Sequence, residues 1–580
     1  KVVIYRNMDR REFLQLLVIG YTYGFIKPSL AQQDINYEIP SFGNLRLIHI
    51  TDTHSQLKPV YFREPNYNIG VGINKNQPPH IVGDEFLKYY SVDSELLKYA
   101  FTAKNYNKLA KKYGKFGGYA YLKSVIDNLR SSANGNSLLL DGGDAWQGSA
   151  VSLFEKGNDM VEASNILGVD IMTGHWEYTY GEQQLRKNIS NFSGEFIAHN
   201  VKLTEEAIFD EVESFDGNYF HKPYTIREIN AVRVAVIGQA FPYTPIANPR
   251  YFVSNLTFGI QQNELQDLVN KIKSTENVSL VILLSHNGVD VDKKLAKDVT
   301  GLDVILGGHT HDVLPSPVII ENSNSKTLVI NSGCNGKFVS VLDLNVRSDG
   351  FEYKYKLLPI LSDFINPSKI MNDHIDKVYR PYNRELNEVI GMSNMDLYRR
   401  GTFNGSFDQL ICESMVNVIG SDISLSPGFR WGPSVLANDQ VTMNDIYSQT
   451  AITYPNTYRR EFTGETIKNI LEDVADNIFN PDPYMQQGGD MVRTTGLSYT
   501  ITPKNKIGRR ISNLRDKNGD LIESHKKYMV SGWASVNQIE EGKPIWEITR
   551  EYLQNIKIYE EDSLKQPKIK GESDNIGIET

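Results

Sequence analysis

The sequence predicts an α/β fold made of two domains, and three observations support this prediction. The chain has 580 residues, more than one hydrophobic core normally organises, so at least two domains are expected. Short apolar segments suited to buried strands alternate with segments of helical periodicity, such as 119–129 and 262–274. Polar residues directly follow several apolar segments, as in layered α/β domains whose functional site lies along one edge of the sheet.

The composition indicates a folded protein and excludes two classes of protein. Hydrophobic residues make up 40% of the chain and charged residues 23%, which is typical of a globular protein. Lys and Arg number 61 against 70 Asp and Glu, for a net charge of −9, so no basic surface for nucleic acid is expected. The two cysteines, Cys334 and Cys412, are too few for a disulfide framework and are predicted to be isolated buried thiols, with an interdomain disulfide as the alternative.

Residues 1–41 are predicted to be a twin-arginine signal peptide and leader. Two adjacent arginines, Arg10 and Arg11, precede a short apolar segment, and Ser29 and Ala31 provide a small-residue cleavage site. This pattern predicts export of the folded protein to the periplasm, with any metal loaded beforehand. An ordinary amphipathic N-terminal helix is the alternative. No apolar run of about 18 residues occurs, so no membrane association is expected after the signal is cleaved.

The rest of the chain divides into four predicted parts. These are a catalytic domain at 42–358, a linker helix at 359–391, a second α/β domain at 392–554 and a mixed-charge tail at 555–580. An insertion at 56–115, rich in Tyr, Asn, Lys and Pro, interrupts the first domain. Loops of this length are usually lids or partner surfaces, or else disordered, and the tail is expected to fray.

Seven polar residues lie just after apolar segments of the first domain. They are Asp52, His54, Asp144, His175, His286, His309 and His311. The set holds five of the chain's 11 histidines, and imidazole and carboxylate groups are the ligands that hold Zn, Mn or Fe. Seven ligands suit two metal ions about 3.5–4 Å apart, with one bridging carboxylate, better than they suit one ion. The sequence therefore predicts a dimetal site at the strand ends.

The arrangement of these residues resembles the five motifs of the calcineurin-like metallophosphoesterases. The motifs are Asp52-x-His54, Gly143-Asp144, Gly174-His175, His286 and Gly308-His309-Thr310-His311. Residues 388–415 resemble the start of the C-terminal domain of the 5′-nucleotidase branch, and the whole resemblance covers about residues 42–550. It implies a two-domain 5′-nucleotidase-like architecture, with a layered αββα metallophosphoesterase domain followed by a C-terminal α/β substrate-binding domain.

One motif departs from the family at positions that matter for acid catalysis. In the segment 174–181, Gly-His-Trp-Glu-Tyr-Thr-Tyr-Gly, Trp176 stands where the family has its catalytic histidine, and Thr179 where nucleotidases have the aspartate that orients it. His175 replaces the usual asparagine ligand, which an imidazole can do. Tryptophan donates a hydrogen bond but exchanges no proton near neutral pH. Because a thiol has a pKa of about 8.5, a sulfur anion leaves more easily than an alkoxide and needs less acid assistance.

This variant motif, together with segments 426–432 (Ser-Pro-Gly-Phe-Arg-Trp-Gly) and 52–59, resembles the SoxB family, the thiosulfohydrolases of the periplasmic Sox thiosulfate-oxidation system. The resemblance implies two manganese ions as cofactors, with zinc and iron as alternatives. It implies hydrolysis of a sulfur–sulfur bond, in which a metal-bridging hydroxide attacks a cysteine S-thiosulfonate and releases sulfate. The implied partner is a SoxYZ-type carrier protein that bears this substrate.

The resemblance also implies a role for each site residue. Asp144 would bridge the two metals, with Asp52, His54 and His311 completing one metal site and His175, His286 and His309 the other. Catalytic roles would fall to Asp144, Arg430 and Trp176. Arg430 takes the position of a phosphate-binding arginine in nucleotidases, and its planar guanidinium suits a sulfonate equally well. A surface arginine in a turn is the alternative for Arg430.

Three further assignments keep a structural alternative. Trp176 would either pack against the arm that carries the substrate or simply fill space. Asp490 and Arg493 lie where nucleotidases line their base pocket, so they would either bind substrate or form a structural salt bridge.

Two other functions compete with the sulfur hydrolase. A periplasmic 5′-nucleotidase or phosphodiesterase shares all the metal ligands, but it would be favoured by an intact acid dyad and an aromatic base clamp. A non-enzymatic docking subunit would keep its metals only for structure. The complete ligand set argues against that function, since a structural site is normally closed by four ligands.

Overall fold

The computed structural model describes residues 35–322, 325–561 and 563–579. The predicted cleavage site and the twin arginines lie outside the described residues. Among the helices that are described, none is both long and apolar enough to cross a bilayer. The described chain forms two α/β domains joined by a helical segment.

The first domain is built on two six-stranded sheets. In spatial order, the first sheet contains β14 (Gly350–Pro359), β13 (Phe338–Arg347), β1 (Leu45–Ile50), β2 (Ser137–Asp141), β3 (Ile171–Met172) and β4 (Glu195–Phe196). The second contains β11 (Val318–Glu321), β12 (Lys326–Asn331), β10 (Val304–Gly307), β9 (Leu280–Ser285), β7 (Val232–Gln239) and β6 (Tyr224–Ile229). The short strands β5 (Lys202–Leu203) and β8 (Leu256–Thr257) form a separate antiparallel pair.

Both sheets are parallel at their centres and antiparallel towards their edges. Strands β1 to β4 run parallel to one another, as do β7, β9, β10 and β12. Strands β13, β14, β6 and β11 are antiparallel to their neighbours. The central strands β2 and β9 are buried along their whole length, because parallel strands at the centre of a layered fold are covered on both faces.

The layers follow the order αββα. Alternate residues of the central strands, such as Leu47 and Ile282, form one core between the two sheets. The opposite face of the second sheet packs against helices Gln262–Thr275 and Val289–Asp298, and that of the first sheet packs against helices that include Tyr119–Ser132. The predicted αββα layering is therefore confirmed.

The other helices of the first domain are short. They are Gly83–Tyr89, Glu95–Phe101, Tyr106–Tyr113, Ala150–Glu155, Asn158–Leu167, Glu182–Asn191, Glu205–Phe209 and Thr244–Ala247. The predicted linker at 359–391 contains the helices Lys369–Tyr379 and Asn383–Leu386. Met371 and Ile375 of the longer helix join the core of the first domain, so this segment packs on that domain.

The second domain holds three small sheets and four α-helices. In spatial order, the largest sheet contains β18 (Thr457–Thr463), β22 (Lys527–Trp533), β16 (Ile423–Gly428) and β19 (Asp490–Thr495). A second sheet contains β17 (Gln440–Thr442), β15 (Val389–Ser393) and β23 (Ile558–Tyr559). The third contains β21 (Ile511–Asp516), β20 (Leu497–Ile501) and β24 (Lys568–Ile569). Its helices are Ser406–Ser414, continued by the π-helix Met415–Gly420, Met443–Thr450, Gly464–Phe479 and Ile545–Ile556. Cys334 in the first domain and Cys412 in the second are free and buried, as predicted.

The insertion is folded and not disordered, and the C-terminal tail differs from its predicted character. The insertion at 56–115 is folded into three helices, and its Leu96 and Tyr99 are fully buried. The tail lies against it, since the Asn68 N–H donates to Gly577 O (2.8 Å) and the Val82 N–H to Ile576 O (3.1 Å). The expectation of a frayed tail is wrong, because these hydrogen bonds pair its backbone with the insertion.

A buried ion pair anchors the insertion to the first sheet. Lys337 Nζ lies 2.6 Å from Glu64 Oε1, with side chains 1% and 6% exposed. Glu64→Ala would leave the buried ammonium without an opposite charge, with the Phe62 carbonyl at 3.3 Å still accepting from it, so the free energy of unfolding should fall by about 3–5 kcal/mol. Urea denaturation of the purified protein measures this loss.

The matched control removes an exposed partner. Glu321 pairs with Lys326 at 2.9 Å, with side chains 68% and 71% exposed. Glu321→Ala should cost less than about 1 kcal/mol. Equal losses in the two variants would contradict an anchoring role for the buried pair.

Candidate metal centre

The seven predicted ligands lie at the carboxyl ends of five strands. Asp52 and His54 follow β1, Asp144 follows β2 and His175 follows β3 in the first sheet, while His286 follows β9 and His309 and His311 follow β10 in the second. The carboxyl ends of parallel strands lie along the same edge of a sheet, so ligands from both sheets converge at that edge. Six of the seven side chains are buried, and His309 is partly exposed.

The backbone at these ligands is unusual. Asp52, His54, Asp144, His309 and His311 all have positive φ, between 46° and 74°. Left-handed conformations are costly for residues other than glycine and persist where the surrounding structure enforces them. At the ends of β1, β2 and β10 the chain turns sharply, and Asp52 and His54, two residues apart, thereby reach the same cluster.

The ligands form two neighbouring clusters. One contains Asp52, His54, Asp144 and His311, and the other contains His175, His286 and His309; within each, the candidate ligand atoms lie within 4.8 Å of one another. Asp144 Oδ2 also approaches the second cluster, at 3.1 Å from His175 Nδ1 and 3.8 Å from His286 Nε2. This division matches the predicted assignment, in which Asp144 lies between the two metal sites.

The unpaired atoms at the centre fit two divalent cations. Asp144 Oδ1 and His286 Nε2 are buried without a hydrogen-bond partner among the described residues. The Nε2 atoms of His54 and His311 face each other at 2.9 Å, where a cation can accept both lone pairs. Buried polar groups normally find partners, and carboxylates and imidazoles left facing one another are the donor set of divalent transition metals.

The protonation states of five of the ligands suit metal binding directly, whereas His286 must lose a proton first: burial lowers its pKa, but the facing carboxylates of Asp52 and Asp144 outweigh this and raise it to about 9. Burial lowers the pKa of His54 to about 4 and also lowers the pKa of His175 and of His309, so these rings are neutral at pH 7 and offer a lone pair. Burial raises the pKa of Asp52 and of Asp144, but the facing imidazoles outweigh it and bring both values below the ordinary range. Both carboxylates are therefore ionised and available as ligands.

Backbone carbonyls orient two of the rings. His286 Nδ1 donates to Gly142 O at 2.7 Å, and His309 Nε2 donates to Gln487 O at 3.0 Å. Such hydrogen bonds fix which nitrogen is free to bind a metal. Gln487 belongs to the second domain, so that domain helps to set the ring of a first-domain ligand.

Glu177 is a functional residue that the sequence reasoning missed. Its buried carboxylate accepts backbone hydrogen bonds from Ala145 (2.7 Å), Trp146 (3.1 Å), His175 (2.7 Å) and Asp144 (3.3 Å). It therefore holds together the two loops that carry the ligands Asp144 and His175. Burial raises its pKa, and these N–H donors oppose that rise. Its position directly after Trp176 in the variant motif was the available signal.

Trp176 lies beside the second cluster and Thr179 is hydrogen-bonded to Trp176, and neither side chain has a hydrogen bond to a titratable side chain among the described residues. The Trp176 ring is 6.0 Å from the His175 ring and packs edge-on against Phe429 (5.1 Å) and Trp431 (4.7 Å) of the second domain. Thr179 Oγ1 donates to the Trp176 carbonyl at 2.8 Å. Both residues are buried, so this side of the centre is an apolar wall.

Arg430 reaches the loop between two ligands. Its Nη1 donates to Thr310 O at 3.2 Å, and its Nε donates to Asp490 Oδ1 at 3.1 Å. Thr310 stands between His309 and His311, so the guanidinium lies at the edge of the metal centre. The interpretation of Arg430 as a free surface arginine is therefore wrong.

Asp490 and Arg493 form a buried ion pair. Arg493 is fully buried, and its Nε and Nη2 contact Asp408 Oδ2 (3.1 Å) and Asp490 Oδ2 (3.0 Å). Asp490 in turn contacts Arg430. Arg493 and Asp490 therefore form the salt bridge of the structural alternative, and Asp490 in addition orients Arg430.

A bridging position for Asp144 predicts a distinct pattern of metal loss. Asp144→Asn should remove most of both ions, because the substitution weakens both clusters, whereas His54→Asn should remove only one of about two ions per chain. Metal content after dialysis, measured by mass spectrometry, distinguishes these outcomes. Asp159→Asn, at a buried carboxylate that accepts from Ser152 Oγ, is the control and should retain both ions.

Glu177→Gln should weaken metal binding as well as folding. An amide offers only one acceptor oxygen, so at least one backbone N–H loses its partner at a cost of about 1–3 kcal/mol, and metal affinity should fall by about 10–100-fold. Glu472 in the second domain also accepts three backbone N–H groups. Glu472→Gln should destabilise the fold and leave the metal affinity unchanged; a similar affinity loss in both variants would contradict the positioning role.

Comparisons with known proteins indicate the family of this chain. A family model described as 5′-nucleotidase, C-terminal domain, matches residues 387–538. The structure of the sulfate thiohydrolase SoxB from Thermus thermophilus is similar, with a TM-score of 0.86 and 30% identity, and the match covers 92% of this chain and 98% of that chain.

Curated relatives carry nucleotidase names. The trifunctional nucleotide phosphoesterase protein YfkN of Bacillus subtilis is 26% identical over 440 residues, which is 68% of this chain and 29% of YfkN. The 5′-nucleotidase of Rattus norvegicus is 28% identical over 329 residues, 52% of this chain and 54% of that protein. The chain thus spans about half or less of the length of these relatives. Because the 30% identity to SoxB extends over nearly the whole of that structure, the chain belongs to the SoxB family within the 5′-nucleotidase-like metallophosphoesterases.

Proposed function

We propose that the protein is a dimetal hydrolase that releases sulfate from a cysteine S-thiosulfonate on a SoxYZ-type carrier protein. One water molecule supplies the oxygen that bonds to the terminal sulfone sulfur. The bond between that sulfur and its neighbour breaks, and its electron pair leaves with the carrier as a cysteine persulfide anion. The two protons of the water pass to solvent, so the products are sulfate and the persulfide.

The observation that carries this proposal is the apolar wall at position 176. Trp176 is 6% exposed and packs between the His175 ring and the rings of Phe429 and Trp431. An indole has no proton to give near neutral pH. A persulfide leaves as an anion without that proton, whereas an alkoxide leaving from a phosphate ester profits greatly from an acid. The site therefore suits a sulfur leaving group.

The chain's own residues hold the cofactor and orient the substrate. We propose that the seven ligands hold two manganese ions, which would act as Lewis acids and lower the pKa of bound water. Arg430 points its guanidinium towards the ligand loop, and Asp490 fixes that direction through Nε. Its planar N–H groups suit the oxygens of a sulfonate. The wall formed by Trp176, Phe429 and Trp431 would exclude water beside the leaving sulfur.

We also propose that the reaction takes place in the periplasm after export by the twin-arginine route. The adjacent Arg10 and Arg11 and the apolar segment that follows them support this location. Folding before export would allow the metals to be loaded in the cytoplasm.

Sulfate release tests the proposed function. The manganese-loaded protein should release sulfate from carrier-bound cysteine S-thiosulfonate and little or no phosphate from adenosine monophosphate. Asp144→Ala should abolish sulfate release because both clusters lose a ligand. Ion chromatography measures sulfate, and a colorimetric assay measures phosphate.

A nucleotidase or phosphodiesterase is the second candidate, because the matched C-terminal domain at 387–538 is described as that of 5′-nucleotidases. Phosphate release without sulfate release would favour it and would mean that another group supplies the acid. Trp176→Phe gives an independent check. Sulfate release should stay within about tenfold of wild type, since no proton transfer is assigned to the indole; a loss as complete as that of Asp144→Ala would contradict this role.

A further inference from the structure

A chain of alternating positive and negative side chains extends through the second domain to the edge of the metal centre. Each of its two carboxylates contacts two guanidinium groups, so it links one arginine to the next. Four of the five side chains are at most 2% exposed, and the last, that of Arg430, is 14% exposed. The five residues are, in order, Arg399, Asp408, Arg493, Asp490 and Arg430.

One branch of this chain connects Asp408 to the guanidinium of Arg430. Asp408 Oδ2 accepts from Arg493 Nε at 3.1 Å, and Arg493 Nη2 donates to Asp490 Oδ2 at 3.0 Å. Asp490 Oδ1 in turn accepts from Arg430 Nε at 3.1 Å. The direction of the Arg430 side chain therefore depends on Asp408 through two intermediate side chains.

The other branch connects Asp408 to the apolar wall. Asp408 Oδ1 accepts from Arg399 Nε at 2.8 Å. The guanidinium carbon of Arg399 lies 5.4 Å from the centre of the Phe429 ring and 5.2 Å from that of the Trp431 ring. At such distances a cation is attracted by the face of an aromatic ring. Asp408 therefore fixes the cation that packs against two of the three rings of the wall.

Arg399 also anchors the backbone of the segment that carries these rings. Its Nη1 donates to the Gln449 carbonyl, and Gln449 Nε2 donates to Pro433 O at 2.7 Å. The segment 429–433 contains Arg430 as well as the two rings. The chain of charges thus holds this segment at two points, the side chain of Arg430 and the backbone of Pro433.

Burial makes this arrangement sensitive to a single change at Asp408. Charges in a protein interior are costly unless each is paired and hydrogen-bonded. Among the described residues, Asp408 is the one carboxylate within 4.0 Å of Arg399, and it is one of two beside Arg493. An amide at position 408 would keep one acceptor oxygen and would turn N–H donors towards one of the two guanidinium groups. Both branches would then rearrange together.

We propose that Asp408 is a positioning residue, which sets the direction of Arg430 and the place of the Phe429 and Trp431 rings at the same time. It acts through the two arginines that share its carboxylate. This inference rests on the proposed function, because that function gives Arg430 an oxyanion to bind. It adds a residue of the second-domain core to those on which turnover depends.

A double-variant cycle on the manganese-loaded full chain tests this role. Asp408→Asn should lower kcat/KM for sulfate release from carrier-bound cysteine S-thiosulfonate by about 10–100-fold, because small displacements of a substrate-orienting group cost this much. The manganese content should stay at the wild-type value, since the ligands belong to the first domain. In an Arg430→Ala background the same substitution should cost less than about threefold, because the group that it positions is gone.

Two further variants separate positioning from loss of folding. Asp476 Oδ1 lies 2.6 Å from Nη1 of the buried Arg510 in the same domain, so Asp476→Asn should lower the midpoint of urea denaturation and leave kcat/KM within about twofold. If Asp408→Asn does not fold, Asp408→Glu enters the same cycle, because it keeps the charge and moves the carboxylate by one methylene. Its loss of about 3–10-fold should likewise vanish in the Arg430→Ala background.

Each outcome decides a different point. Equal losses in the two backgrounds, or a loss in Asp476→Asn as large as that in Asp408→Asn, would overturn the positioning role and leave the proposed function intact. No sulfate release by the unaltered protein would contradict the proposed function. Asp408 is then judged by the binding of inorganic sulfate in isothermal titration calorimetry. An affinity that Asp408→Asn lowers only while Arg430 is present supports the role, whereas an unchanged or equally lowered affinity in both backgrounds overturns it.

Discussion

Holding seven polar side chains, six of them buried, face to face is the constraint on which the rest of this structure depends. Burying carboxylates and imidazoles away from water is costly unless they find partners, yet Asp144 Oδ1 and His286 Nε2 have no hydrogen-bond partner within the part of the chain that the structure describes. Five of the ligands adopt a positive φ, which places their side chains in the centre. Glu177 holds two ligand loops together by accepting hydrogen bonds from four backbone N–H groups. Two divalent cations would bind the lone pairs that face one another in this fold and would so provide the missing partners.

The second domain also helps to hold the ligands in place. Arg400 and Arg430 both donate to the carbonyl of Thr310, at 3.1 and 3.2 Å, and the Gln487 carbonyl accepts from His309. The ligand loop of β10 is therefore fixed by residues far along the chain. Trp431 from the same domain meets Trp176, so the apolar wall beside the metals is shared between domains, and its chemistry depends on their packing.

The layered fold and the ligands were predictable because their signals are local. Apolar strands such as β9 are followed at once by a polar ligand, and the parallel order of strands forces such ends to one edge. The variant motif around Trp176 likewise stands in adjacent residues. Glu177 was missed although it lies in that motif, because its role depends on four backbone N–H groups from two separate loops. Phe241, which stacks on His309 at 4.1 Å, follows β7 as one more apolar residue and gives no signal.

The sequence by itself determined the α/β class, the order of the ligands and the absence of an acid at position 176, because each of these is encoded in neighbouring residues. Only the tertiary structure decided that Arg493 supports Asp490 from within the core and that the tail pairs with the insertion. These features join residues such as Asn68 and Gly577, whose contact leaves no periodicity or spacing in the sequence and arises only when both domains pack together.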